Sequence, residues 1–336
     1  MAATAADPEG VPPPNIVLIV ADDMGFSDLG CFGSEIETPN LDALAAGGVR
    51  FSQFYAYPRC CPTRASLLTG LYPHQAGVGH MSMPMPEPAY QGHLNENCVT
   101  IAEALRASGY RTLMSGKWHV GGAYPAFRPD VWRPGRPGSP TPFTRGFDQH
   151  FGTLTGSGSF YDPHTLIRDD TLIQTDSDDF YYTDAISDEA VGMVSGAVAD
   201  DDPFFLYVAY TAPHWPLHAP DETVAKYRGR YRAGWDAIRT ARHEEMKGTG
   251  LVDSRWEISP RDDMAPPWED VAEQDWYDAR MATYAAMVDC LDQGIGKIVA
   301  ELRRQGELDN TLLMFFSDNG GSCEFLMEEG ILEMMP

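Results

Sequence analysis

Asn15-Ile16-Val17-Leu18-Ile19-Val20-Ala21-Asp22-Asp23 is a short apolar run, rich in Ile and Val, entered from Pro14 and left through two adjacent carboxylates. A continuous apolar stretch of this length reads as a strand buried on both faces of a sheet. Runs of the same kind recur at 111–115, 204–210 and 311–316. Helical patterns separate them. Thr38-Pro39-Asn40 predicts a capped helix through Leu41, Leu44 and Ala45 that stops at Gly47-Gly48. Ile101, Ala104 and Leu105 share one face of a helix over 100–108 that Gly109 stops. The longest helix spans 276–305, with Met281, Tyr284, Ala285, Val288, Leu291, Ile295, Ile298, Val299 and Leu302 at helical spacing. Strands alternating with helices predict an α/β sandwich, a mainly parallel central sheet flanked by helices. Such sheets place their chemistry where strands end.

Composition narrows the function classes. The 336 residues carry 24 basic and 49 acidic side chains, a net charge of −25, which argues against nucleic-acid and anionic-membrane partners. Only Lys117, Lys226, Lys247 and Lys297 are lysines. An acidic, lysine-poor surface suits a protein of a high-salt organism, because screening removes its self-repulsion. Residues 1–14 carry neither a basic residue nor an apolar core, so they read as a disordered tail and not as a secretory signal. No stretch is long enough to span a bilayer. Cys31, Cys60, Cys61, Cys98, Cys290 and Cys323 show no metal-knuckle spacing. Together these features predict a cytoplasmic protein with reduced thiols and one catalytic domain over 15–336.

Five segments carry candidate chemistry. In Cys60-Cys61-Pro62-Thr63-Arg64-Ala65-Ser66-Leu67-Leu68-Thr69-Gly70, Pro62 suits a first helical turn and Gly70 the residue after the last. Cys60 then lies just before a helix N-terminus, where free N–H groups favour an anion, and Arg64 follows one turn later. Asp22 and Asp23 leave one buried strand, and Asp318 and Asn319 leave another. All-oxygen ligation without His or Cys selects Ca²⁺ or Mg²⁺ over zinc. Lys117 and His119 follow the strand at 111–115, on one face if that strand continues. His214 stands between Pro213 and Trp215 after the run at 204–210. His74, His80, His150, His164, His218 and His243 read as loop or surface residues. Two stretches read as loops, 121–180 over the sheet and 220–275 as a weakly periodic aromatic excursion over the core or a substrate entrance.

The Cys-x-Pro-x-Arg motif at Cys60–Arg64 followed by Leu68-Thr69-Gly70, the opening strand with Asp22-Asp23, Gly116-Lys117-Trp118-His119, Ala212-Pro213-His214-Trp215 and Phe315-Phe316-Ser317-Asp318-Asn319-Gly320-Gly321 stand in the order of the type I sulfatases (arylsulfatases). The chain resembles that family from about residue 15 to its end. The resemblance implies the alkaline-phosphatase-like sandwich and hydrolysis of an organic sulfate monoester, on a small molecule or a carbohydrate, to an alcohol and sulfate. It implies that Cys60 is oxidised to formylglycine by a formylglycine-generating enzyme and hydrated to a diol, one hydroxyl of which attacks sulfur. By the same resemblance Asp22, Asp23, Asp318 and Asn319, with the modified Cys60, hold Ca²⁺ (Mg²⁺ as the lesser choice). Arg64 holds the diol, Lys117 contacts sulfate, His119 is the base for sulfate release, and His214 protonates the leaving oxygen. Cys61 fills the variable motif position.

The pattern departs from the family at its end. Sulfatases of this type have a second active-site lysine after the Asp-Asn pair and a C-terminal subdomain. No lysine follows Lys297; Glu324-Phe325-Leu326 keeps the pattern, and 330–336 does not. The expectation is a chain lacking the C-terminal subdomain, with impaired turnover and better-preserved metal binding. A phosphonate or phosphodiester hydrolase with the same motif, and a non-catalytic sulfate or glycan binder, are the alternatives.

Overall fold

The computed structural model describes residues 12–121, 138–175, 177 and 179–322. Most of the tail at 1–14, the segment 122–137, Asp176, Asp178, Cys323 and 330–336 lie outside the described residues.

Seven strands form one sheet: β1 (Asn15–Ala21), β2 (Arg111–Gly116), β3 (Gln149–Thr153), β4 (Leu166–Arg168), β5 (Thr171–Leu172), β6 (Phe204–Ala209) and β7 (Thr311–Ser317), in the order β5-β4-β3-β2-β6-β1-β7. From β3 to β7 every pairing is parallel; β4 and β5 add an antiparallel edge. β1 lies between β6 and β7, with Leu18 opposite both Tyr207 and Met314. Its alternate side chains serve two cores. Val17, Ile19 and Ala21 face one; Leu18 and Val20 face the other. This two-sided burial is why the strand reads as a continuous apolar run.

Eight α-helices lie among the described residues: α1 (Pro39–Gly47), α2 (Cys60–Thr69), α3 (Pro73–Ala76), α4 (Ile101–Ala107), α5 (Tyr182–Ala199), α6 (Asp221–Tyr227), α7 (Trp235–Gly248) and α8 (Gln274–Gln305). Ile186, Ala190 and Val194 of α5 join Ala285, Val288, Leu291, Ile295 and Ile298 of α8 in the first core. Ala65 and Leu68 of α2 and Ala102 of α4 line the second. The expected α/β sandwich, a mainly parallel central sheet flanked by helices, is present.

Several expectations need correction. The stretch 121–180 is not loop throughout, since it contains β3, β4 and β5. Its strand Gln149-His150-Phe151-Gly152-Thr153 has too few apolar residues to signal one. Gly152 sits there because a Cβ would overlap the carbonyl of Gly116 on β2. His150 is buried on β3 and is not a surface residue. The stretch 220–275 holds α6 and α7; α7 presents few apolar residues, which hid its period. Thr38 does not cap α1 with its side chain. Asp292 of α8 does so, accepting the backbone N–H groups of Asn40 and Leu41 at 3.1 and 2.8 Å. α2 begins at Cys60 itself, with Arg59 before it and Gly70 (φ +68°) closing it.

Candidate active site

The exits of β1 and β7 are tied side by side. Asp318 donates its backbone N–H to Ala21 O at 3.0 Å, and Asp22 donates to Ala212 O at 3.1 Å. Residues from the two ends of the chain therefore meet. Asp23 turns through φ +62°, a left-handed conformation uncommon outside glycine and concentrated at functional sites. Its N–H donates to Asp318 Oδ1 at 3.3 Å, and Asn319 donates its amide to Asp23 Oδ1. Asp22, Asp23 and Asp318 are all buried. Burial, and then Asp318, push the Asp22 carboxyl well up, over the opposing effect of Lys117 and Arg64. Burial likewise raises Asp23 to about 6.

Two polar oxygens in this cluster, Asp22 Oδ1 and Asn319 Oδ1, are buried with no hydrogen-bond partner among the described residues. Crowded carboxylates beside unpartnered oxygens are an arrangement that a divalent cation would satisfy. The predicted oxygen set therefore fits a hard metal ion. Ligating atoms of Asp22, Asp23 and His214 also lie within 4.8 Å of one another, so His214 borders the same space.

Two cations answer the carboxylates. Arg64, fully buried on α2, donates Nε to Asp318 Oδ2 at 2.8 Å and Nη1 to Lys117 O at 3.1 Å and Tyr207 Oη at 3.4 Å; its Nη2 lies 3.7 Å from Asp22 Oδ1. Lys117 pairs with Asp22 Oδ2. Burial acts to lower the Lys117 ammonium, and Asp22 and Cys60 outweigh it and push it up, so the lysine stays charged. Gly116 is required just before it, because a Cβ there would overlap Ala209 O on β6.

Cys60, the first residue of α2, places Sγ 3.3 Å from His119 Nδ1. Its neighbour Cys61, and after it Lys117 and His119, hold the Cys60 thiol far below its usual range against the effect of burial. Burial pushes the His119 imidazole down. His119 reaches Cys60 for a reason other than the one expected. β2 ends at Gly116, so strand alternation does not continue to residue 119, and a φ of +54° at His119 aims the ring. His214 Nδ1 lies 2.5 Å from Trp215 O, which fixes Nδ1 as the donor; Nε2 then faces Asp23 Oδ2 at 3.5 Å with a free lone pair. Burial, followed by Lys117, lowers His214 to about 3.

All nine residues singled out from sequence thus converge on one buried pocket at the carboxyl ends of β1, β2, β6 and β7. Residues 14–329 match the sulfatase family. The chain belongs to the sulfatase family. It is 36% identical over 324 residues to an arylsulfatase of Klebsiella aerogenes, covering 92% of this chain and 66% of that protein. Its fold superposes on the crystal structure of Ps i-CgsB in complex with k-i-k-neocarrahexaose with a TM-score of 0.66 at 31% identity, over 92% of this chain and 59% of that one. The fold is also shared with the phosphonate monoester hydrolase of Agrobacterium radiobacter, at TM-score 0.58 and 23% identity, over 91% and 62% of the two chains. The chain spans about six-tenths of the length of such sulfatase relatives.

Three further residues shape this site and were not read from sequence. Tyr207 meets Arg64 from β6, where its hydroxyl was hidden within an apolar run. Gly156 leaves room for the His119 ring, which a Cβ would overlap. Ser317 accepts from Met24 N at 3.0 Å and donates to Asn319 O at 2.7 Å, bracing the turns that carry Asp22-Asp23 and Asp318-Asn319. Only the serine, inside the Ser-Asp-Asn-Gly-Gly string, carried a visible signal.

Proposed function

We propose that this protein hydrolyses an organic sulfate monoester to an alcohol and sulfate, with Cys60 acting as formylglycine and Ca²⁺ held by Asp22, Asp23, Asp318 and Asn319. The observation that carries the reading is the meeting of Cys60 Sγ, His119 Nδ1 at 3.3 Å, and the Lys117–Asp22 pair beside three carboxylates. In this reading Cys60 Sγ stands where the aldehyde-derived oxygen of formylglycine would stand. Formylglycine supplies a hydrated aldehyde whose hydroxyl is the nucleophile, and the cation supplies charge neutralisation at a sulfate oxygen.

The chain's own side chains do the rest. Arg64 holds Asp318 and stands within reach of Asp22, so the carboxylates stay gathered with their oxygens turned to the pocket. Lys117 remains charged at neutral pH and contacts the sulfate anion. His119 Nδ1 takes the proton from the modified Cys60 position that lets sulfate depart. His214 Nε2, held by its Nδ1 bond to Trp215 O, faces the leaving oxygen; an anion bound there favours its protonated form. A formylglycine-generating enzyme is the partner required for maturation.

The test uses protein co-produced with a formylglycine-generating enzyme and supplied with Ca²⁺. Turnover of 4-nitrophenyl sulfate, lost in Cys60→Ala, is the expected result. Faster turnover of a nitrophenyl phosphonate than of the sulfate supports instead the phosphonate hydrolase reading, which the shared fold makes the second. Equal rates for the wild type and Cys60→Ala would contradict both.

A further inference from the structure

A cavity of about 1350 Å³ opens beside Asp23 and runs between α7 and α8. Its walls are two helix faces. On α7, Trp235, Ile238, Arg239 and Arg242 recur at helical spacing; on α8, Trp276, Tyr277, Arg280 and Tyr284 do the same. Tyr284 anchors the inner end at the metal-site turn, donating to Asp28 Oδ2 at 2.5 Å and accepting from Gly25 N at 3.3 Å. Trp215, next to His214, completes the inner wall, and its buried Nε1 has no hydrogen-bond partner among the described residues. The cavity exceeds the roughly 300–1,000 Å³ that holds a drug-sized ligand. It has room for more than one ring.

The arginines lining this cavity, which also holds Asp23, Asp28 and Glu273, separate into two kinds. Arg242 is spent on structure, bonded to Glu35 at 2.7 Å and to Asp28 at 2.5 Å. Arg239 and Arg280 make no ion pair among the described residues, although the chain carries 49 acidic side chains. Arg239 is held by Ser259, with bonds of 3.0 and 3.1 Å to its carbonyl and hydroxyl. Arg280 lies over the Trp276 ring, its Cζ 4.4 Å from the centroid. Stacking fixes the guanidinium plane and leaves its edge donors free for an anion. At 1.5 Å per residue along α8, Arg280 stands about 6 Å and Trp276 about 12 Å beyond Tyr284.

We propose that this cavity receives the alcohol portion of the substrate and that Arg280, stacked on Trp276, binds a second anionic group on it, about 6 Å along α8 beyond the inner end at Tyr284. The preferred substrate is then a doubly anionic, ring-containing sulfate ester spanning about two sugar rings. The inference rests on the sulfatase reading of the neighbouring pocket, and it concerns which ester that pocket takes. Arg280 touches only the distal charge, so its removal leaves esters lacking that charge unaffected.

The experiment compares a chromogenic disaccharide carrying one sulfate with the same disaccharide carrying a second sulfate on the other ring. Matured protein is expected to favour the second by roughly tenfold in kcat/KM, as one charge-assisted contact would give. Arg280→Gln abolishes the preference while keeping the rate on the singly charged ester, and Arg280→Lys restores part of it. A preference unchanged in Arg280→Gln, or no preference in the wild type, overturns the proposal. Quenching of tryptophan fluorescence by the same two ligands reads the subsite without turnover. Tighter binding of the doubly charged ligand, lost in Arg280→Gln, supports the subsite even if no ester is cleaved, in which case only the sulfatase reading fails; equal binding overturns the subsite.

Discussion

Replacing Arg64 by Leu tests the electrostatic frame of the site. Arg64 is fully buried and bonds Asp318 through Nε at 2.8 Å, with Nη2 also 2.8 Å from Asp318 Oδ2 and 3.7 Å from Asp22 Oδ1. Leucine fills much of the space but leaves two buried carboxylates with only Lys117 between them. Breaking a buried pair by removing one partner costs about 3–5 kcal/mol, because the remaining charge is uncompensated. The backbone carbonyl of Lys117 and the Tyr207 hydroxyl lose a donor as well. With an unfolding entropy of about 2.1 cal/mol/K per residue, a chain of 336 residues shifts its melting temperature by about 1.4 °C per kcal/mol, so metal-free Arg64→Leu should melt roughly 4–7 °C lower. Differential scanning calorimetry in chelator measures this. Excess Ca²⁺ should recover part of the loss, since the ion replaces the missing positive charge. A melting temperature within 2 °C of wild type in chelator would refute the claim that Arg64 holds the carboxylates together.

Other outcomes follow from the same geometry. His119→Gln should lower kcat on 4-nitrophenyl sulfate roughly 10²–10⁴-fold, the range for loss of a general base, with the melting temperature little changed. Ca²⁺ at a hundred times its dissociation constant should stabilise the metal-free protein by about 2.7 kcal/mol, read by thermal shift, and Asp23→Asn should reduce that gain. Burial lowers the His150 imidazole from 6.5 to about 3, so the folded state resists its protonation. The sign follows directly: the stability is whole above pH 6.5 and is lost as pH falls toward 3. Between pH 7 and pH 5 the loss from this group is about 2 kcal/mol in urea titrations, and His150→Gln should remove that part of the slope.

The central strands were legible because burial on both faces leaves an apolar run that no other element of that length produces. Asp22-Asp23 and Asp318-Asn319 stood out because carboxylates end those runs, and their meeting follows from β1 and β7 being neighbours. Lys117 and His119 were found together, yet the left-handed turn at His119 that brings its ring to Cys60 is set by tertiary packing against Gly156. β3 was invisible, since Gln149, His150 and Gly152 carry no alternation and owe their strand to the register with β2. Asp292 as the cap of α1 was equally hidden, because its partners lie 251 and 252 residues away. The aromatic residues of 220–275 suggested an entrance; the two helix faces that organise them into a cavity needed the packing of α7 beside α8.

The most direct measurement is the mass of the tryptic peptide Cys60–Arg64 from protein co-produced with a formylglycine-generating enzyme, with fragmentation to place any change. Conversion of the thiol to an aldehyde removes roughly 18 Da at Cys60 and leaves Cys61 intact, which is the predicted result. A peptide carrying both thiols unchanged, from protein that nonetheless cleaves 4-nitrophenyl sulfate, would contradict the account.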